Sequence, residues 1–261
     1  MKPFAVILLF FCLTFGAYSA YASSDSTLTE LDQMADEALQ LTKFSRLEEA
    51  KSILERFAVR FSEEGVKDGK FTMDELRVLT ASHHEALRAV TNINMNVDER
   101  IRLVTSFRLA ADAISSTHQP MWIEMEASVM RDFQEVKNAA LEGDKEAYNQ
   151  SLNSFLATYT VIQPSLKIDL AADKLQKLDS KITFIDRYRS DFSEQEWADH
   201  LESLEQDLQK IFSNPDEDEA DPSLWWVISM TGSIIVLTLS YVSWRKYKGE
   251  RQQKKRKDSN N

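Results

Sequence analysis

An all-α fold is what this sequence predicts, either an elongated helical bundle or a short helical-hairpin array, plus one C-terminal transmembrane helix. Three observations carry that prediction. Only 6 Gly and 5 Pro occur in 261 residues, well below the roughly 7% and 5% of ordinary chains, which disfavours a sheet protein rich in tight turns. Apolar residues recur three and four apart along nearly all of 26–213, as one face of a helix requires. Finally, Leu224–Trp244 is an apolar run of 21 residues without Asp, Glu, Lys, Arg or His.

Residues 1–22 read as a signal peptide. Lys2 is the positive start, Phe4–Phe15 is an apolar stretch, and Ala20-Tyr21-Ala22 is a small-residue exit, placing cleavage before Ser23. Cys12 is the single cysteine, and bulky Phe10 and Phe11 precede it, which argues against lipid attachment there. A mature chain without cysteine suits a compartment where unpaired thiols are a liability.

Residues 23–213 are expected to form a helical extracytoplasmic domain. Leu31, Met34, Ala38 and Leu41 begin one helical face, and Leu47, Ala50, Leu54, Phe57 and Phe61 make a second. A break near Lys43–Ser45 turns the chain between them. Thr72-Met73-Asp74-Glu75 has the form of a capping box, opening a helix through Leu76, Leu79 and Leu87. Asn92–Asn96 interrupts, and Ile101, Val104 and Phe107 continue on a helix ending near Thr117. Pro120 fits a first helical position, ahead of the face Trp122, Met125, Val129, Phe133, Val136. Gly143 ends that helix and Asp144 caps the next, through Tyr148, Leu152, Phe155, Tyr159 and Ile162. Pro164 is expected to restart the chain into Leu175, Leu178, Ile182 and Ile185. Ser193–Glu196 is a second capping box before Trp197, Leu201, Leu204, Leu208 and Ile211. That last set has coiled-coil spacing over only two heptads, so pairing with Leu175–Ile185 inside the chain is preferred. The first two faces resemble one tetratricopeptide-like hairpin, without a second copy at that period.

Residues 214–223 form an acidic stalk, and 224–244 the transmembrane helix. At 1.5 Å per residue this run spans a hydrocarbon core of about 30 Å. Trp225, Trp226, Tyr241, Trp244 and Tyr247 sit at its rims as interfacial aromatics do. Residues 245–261 are a basic cytoplasmic tail. Arg245, Lys246, Lys248, Arg251, Lys254, Lys255, Arg256 and Lys257 retain it inside and contact lipid. The localisation predicted is therefore a single-pass cell-membrane protein with its N-terminal domain outside. Residues 23–223 carry 22 Lys and Arg against 40 Asp and Glu, a balance of −18. So acidic a domain excludes a nucleic-acid groove and implies repulsion from anionic lipid.

The three landmarks Leu47-Glu48-Glu49-Ala50-Lys51, Thr117-His118-Gln119-Pro120-Met121-Trp122 and Gln163-Pro164-Ser165-Leu166 sit within this whole-chain plan. Together they resemble the YpjB family of sporulation proteins from spore-forming bacilli. The resemblance implies a link to sporulation and a membrane location, and it supplies no catalytic residue.

Chemistry is sparse. Glu64–Glu75 is a calcium-loop candidate, with Glu64, Asp68, Lys70 (through its carbonyl), Thr72 and Glu75 as ligands and Gly69 at the turn. Val66 occupies a ligand position it cannot fill, and six to eight oxygens are needed, so a Gly-assisted turn before a capped helix is the preferred reading. His118, Met121 and Met125 approach helical spacing, but Pro120 intervenes and Met more often packs a core. His83-His84-Glu85 is no zinc motif. Neither a G-x-S-x-G elbow nor a mature-chain nucleophilic Cys is present. No cofactor, no metal and no enzyme activity are expected. The reading is a membrane-anchored interaction or scaffold protein with a protein partner outside the cytoplasm. The alternative is an extracytoplasmic sensor or a ligand- or metal-binding module.

Overall fold

The computed structural model describes residues 22–65, 71–116, 119–189, 194–213, 229–242 and 245–246. Among these residues it is all-helical, with no strand. Helices α1 (Ala22–Lys43), α2 (Leu47–Arg60), α3 (Met73–Thr91) and α4 (Val97–Ser115) precede α5 (Glu126–Leu141), α6 (Lys145–Asp169), α7 (Ala172–Arg187) and α8 (Glu194–Ser213).

The turns form where the sequence supplies their chemistry. Between α1 and α2, Ser45 adopts φ 59°, and the Arg46 N–H reaches back to the Leu41 carbonyl at 2.8 Å. That is the left-handed closure that satisfies carbonyls at a helix end. The predicted capping box opens α3: Thr72 Oγ1 accepts from the Glu75 N–H at 3.2 Å, and the Glu75 carboxylate accepts from the Thr72 N–H at 2.6 Å. Asn96 caps α4 through the Glu99 N–H at 2.7 Å. Gly143, at φ 68°, ends the α5 turn, where a Cβ would be strained. Asp144 Oδ1 then accepts from Glu146 and Ala147, each at 3.0 Å, to open α6.

Two cores organise the domain. The first collects Leu54, Phe57, Leu79, Ala86, Val104 and Phe107 from α2, α3 and α4, closed by Leu31, Ala35 and Ala38 of α1. The second gathers Trp122, Phe133, Tyr148, Phe155, Leu178 and Leu204, from the α5 side through α8. Full burial of each large side chain contributes about 2–3 kcal/mol. Helix α4 serves both cores: Phe107 lies in the first and Leu109 in the second. Small Ala110, Ala111 and Ala113 let neighbours approach it closely, so α4 is an interior helix and not a one-faced one.

Two expectations need correction. Pro164 does not restart the chain. Helix α6 runs through it for 25 residues and stops only at Leu170. An interior proline costs about 3 kcal/mol through the lost N–H and ring clash. Burial of Tyr159, Val161, Ile162, Leu166 and Leu170 on both sides of it offsets that cost. Pro120 is not a first α-helical residue either. It caps a short 3-10 turn, Met121–Met125, accepting from the Ile123 N–H at 3.2 Å, and α5 begins at Glu126. Helix α4 ends at Ser115, near the expected Thr117, which itself lies outside the described residues.

The α8 seam is buried at Trp197, Leu201, Leu204, Leu208 and Ile211. It packs inside the chain against α5 as well as the expected α7. Lys137 of α5 meets Glu202 at 2.8 Å and also Glu205, and Lys181 of α7 meets Asp207 and Ser203.

The region after 215 is a separate unit. Of the predicted span 224–244, residues 229–242 are helical and exposed, and the rest lie outside the described residues. Among the described residues no helix is long and apolar enough to cross a membrane. The signal-peptide residues 1–21 and the stalk 214–223 also lie outside them.

Candidate functional site

A groove of about 1130 Å3 is lined by α3, α4, α6 and α7. Its floor is apolar: Val78 and Ala81 of α3, Leu103 of α4, Ala157, Val161 and Pro164 of α6, and Leu175 of α7. Its rim is charged, and the carboxylates there are mostly engaged. Asp74 is paired with Arg77 at 2.9 Å, and Glu85 with Arg88 of the same helix at 2.5 Å. Asp179 accepts from the Tyr159 hydroxyl at 2.6 Å and from Gln163 Nε2 at 3.2 Å, tying α7 to α6. Burial, with Asp179 beside it, pushes the Tyr159 hydroxyl far above its ordinary range, so it remains a donor. Arg102 of α4 and Lys167 of α6 line the same groove, and neither meets a carboxylate among the described residues.

The proline in α6 adds one more group. Pro164 has no N–H to return to the Thr160 carbonyl, and both residues line the groove. One backbone acceptor on this wall therefore lacks its helical donor.

A buried charge cluster lies outside the groove, between α1 and α4. Arg108, only 7% exposed at its side chain, donates from Nη1 and Nη2 to the two oxygens of Asp32 at 2.6 and 3.1 Å. Asp36 and Asp112 approach the same guanidinium at 3.6 and 3.9 Å. Asp112 also accepts from the Met121 N–H at 2.7 Å. Burial raises the Asp112 carboxyl above its usual range, against the lowering effect of that N–H and of Arg108. The cluster joins α1, α4 and the 3-10 turn, with its carboxylates occupied by the guanidinium and backbone.

The predicted site residues are dispersed. Thr72 and Glu75 of the calcium-loop candidate are spent on each other as a helix cap, and the Glu64 backbone belongs to a π-helical turn, Phe61–Gly65. Asp68 and Lys70 lie outside the described residues. Among the described residues no group of three His, Cys, Asp or Glu is placed to hold a metal ion. His83 is a core residue. Its Nε2 lies 2.8 Å from the Leu54 carbonyl and its ring stacks on Phe57, 5.7 Å between centroids. Burial lowers its pKa. His84 and His200 are exposed, and His118 lies outside the described residues. Met121 and Met125 pack against the second core. Of the membrane residues, Tyr241, Arg245 and Lys246 are helical and exposed. Trp225, Trp226, Trp244, Tyr247, Lys248, Arg251, Lys254, Lys255, Arg256 and Lys257 lie outside the described residues.

Sequence reasoning missed the groove because its walls come from helices far apart in the chain. The one available signal was Pro164 inside an otherwise continuous apolar pattern.

A family model described as sporulation protein YpjB matches residues 28–256. The uncharacterized protein YpjB of Bacillus subtilis (strain 168) is similar, 31% identical over 261 residues that cover 99% of each chain. No solved structure matches.

Proposed function

The chain belongs to the sporulation protein YpjB family, and on that premise we propose a non-enzymatic, membrane-anchored interaction protein that docks a protein partner outside the cytoplasm. The groove carries this reading. Its volume of about 1130 Å3 exceeds the roughly 300–1,000 Å3 of small-molecule pockets. Its two walls are helix pairs, the arrangement that receives a further helix. An apolar floor with a polar rim is the usual layout of a protein interface. The anchor is Leu224–Trp244, supported by its aromatic rims and by the eight Lys and Arg that follow.

Site-specific photocrosslinking tests the reading. A benzophenone side chain at Gln176 or Thr183, both exposed on the groove wall, is expected to capture a protein partner in sporulating cells. The same group at exposed Glu135 of α5, outside the groove, is expected to capture none. Equal capture from both faces, or none from the groove, overturns the proposal.

A further inference from the structure

We infer that His83 is a proton-sensitive latch on the docking groove: it fastens α3 to α2, and its protonation loosens the helix whose other face forms a groove wall. The inference rests on the docking reading above and adds its regulation. At about 100° per residue, Val78, Ala81 and Glu85 lie on the face of α3 opposite His83. All three line the groove. Helix α3 is thus backed by α2 on one side and open to a partner on the other.

From α2 the half-buried ring meets the Leu54 carbonyl, 2.8 Å from Nε2, and Phe57, stacked at 5.7 Å. From α4 it meets Phe107 edge-to-face at 5.4 Å, and from α3 itself it feels His84. A carbonyl only accepts, so Nε2 carries the hydrogen and the neutral ring suits the seam. A second proton, at Nδ1, brings a charge between two phenyl rings, and no carboxylate among the described residues acts to offset it. Burial weakens the hold of the folded ring on that proton, so the opened seam takes it up first. The latch therefore weakens as pH falls below about 6.5. Asp112 works in the opposite sense. Burial raises its carboxyl, so protonation there favours the folded form, and it joins α4 to the 3-10 turn, outside the α2–α3 seam. A domain outside the cytoplasm meets the pH of the medium, where a histidine so placed serves as a switch.

Hydrogen exchange on the full-length chain in detergent micelles reads the latch, at about pH 7 and about pH 5.5 to bracket the histidine range. With rates corrected for intrinsic exchange, α2 and α3 are expected to lose protection in acid while α7 and α8 keep theirs. His83→Gln retains a donor for the Leu54 carbonyl, and His83→Phe retains a ring in the stack. Both are expected to abolish the loss, and His84→Gln to leave it in place. Loss of equal size in the His83 variants, or loss spread evenly over α1–α8, overturns the inference. Photocrosslinking from Thr183 reads the consequence. Capture is expected to fall in acid for the parent and to persist for His83→Gln, and capture that acid leaves unchanged in the parent overturns the gating. If Thr183 captures nothing at either pH, the docking reading falls and the exchange data still decide the latch.

Discussion

Arg108 holds both carboxylate oxygens of Asp32, 76 residues earlier in the chain, from a position only 7% exposed. The pair fastens α1 along α4. Asp32 is the more exposed partner, at 30%, so removal of either residue has unequal consequences.

Arg108→Leu strands Asp32, Asp36 and Asp112 without their shared cation. Breaking a buried pair costs about 3–5 kcal/mol, and partial solvation of Asp32 and Asp36 places the expected loss at the lower end. Asp32→Asn leaves Arg108 beside Asp36 and Asp112 and is expected to cost less. Urea denaturation of both variants measures the order, and a loss below about 1 kcal/mol for Arg108→Leu would reduce the cluster to a surface pair.

Acid is expected to destabilise the domain through His83. Burial lowers the pKa of the folded ring below its ordinary 6.5, so the unfolded chain takes up the proton first. The contribution is complete above pH 6.5 and is lost as pH falls below it, because ∂ΔG/∂pH is positive wherever the unfolded state binds more protons. Leu54 O, Phe57, Phe107 and neighbouring His84 surround the ring. His83→Phe is expected to flatten the slope of stability between pH 5 and 6.5, values set by the ordinary histidine range. An unchanged slope assigns it to the carboxylates.

Thr72→Ala removes an N-cap and is expected to cost about 1 kcal/mol. Glu75→Gln keeps an acceptor at the capping-box position and is expected to be nearly neutral. Calcium at about 1 mM, enough to fill even a weak extracellular-type site, is expected to leave the melting temperature unchanged. A calcium-dependent rise abolished by Glu75→Gln would establish the loop as a cation site.

Pro164→Ala restores an N–H to the Thr160 carbonyl. Stability is expected to rise by up to about 3 kcal/mol, and crosslinking from Gln176 to fall, since the proline ring that lines the groove is lost. A variant more stable than the parent with full crosslinking would separate the proline from the docking surface.

Cysteines report topology. In a Cys12→Ala background, a cysteine at Ser213 is expected to react with an impermeant thiol reagent on intact cells, and one at Ser259 is not. The opposite labelling reverses the orientation inferred from the tail charges.

Helix ends were legible in the sequence because their chemistry is local. Thr72 with Glu75 and Gly143 with Asp144 each satisfy backbone groups within a few residues and stand where their pattern places them, and Asn96, read only as the end of a break, caps α4. Pro164 was misread because its local penalty is outweighed by apolar burial supplied by other helices, which no window around it contains. Pro120 stands one residue off its expected place, since the chain first takes a 3-10 turn. The groove and the Arg108 cluster were invisible for a related reason. A buried arginine and a solvated one look alike in sequence, and only the pairing of α4 with α1 and α6 tells them apart.

The sharing of α4 between two cores bears on the order in which the chain is made. Carried across the membrane N-terminus first on the proposed topology, α1–α4 emerge ahead of the rest, and Phe107 can settle among Phe57, Leu79 and Val104 before α5–α8 follow. At that moment Leu109, on the same helix, faces outward with none of its later neighbours. One wall of the groove is then built and the other absent. Exposed apolar surface of this kind invites premature association. The interval closes only when α6 arrives and buries Leu109, so a folding factor covering α4 would protect a surface that later becomes core.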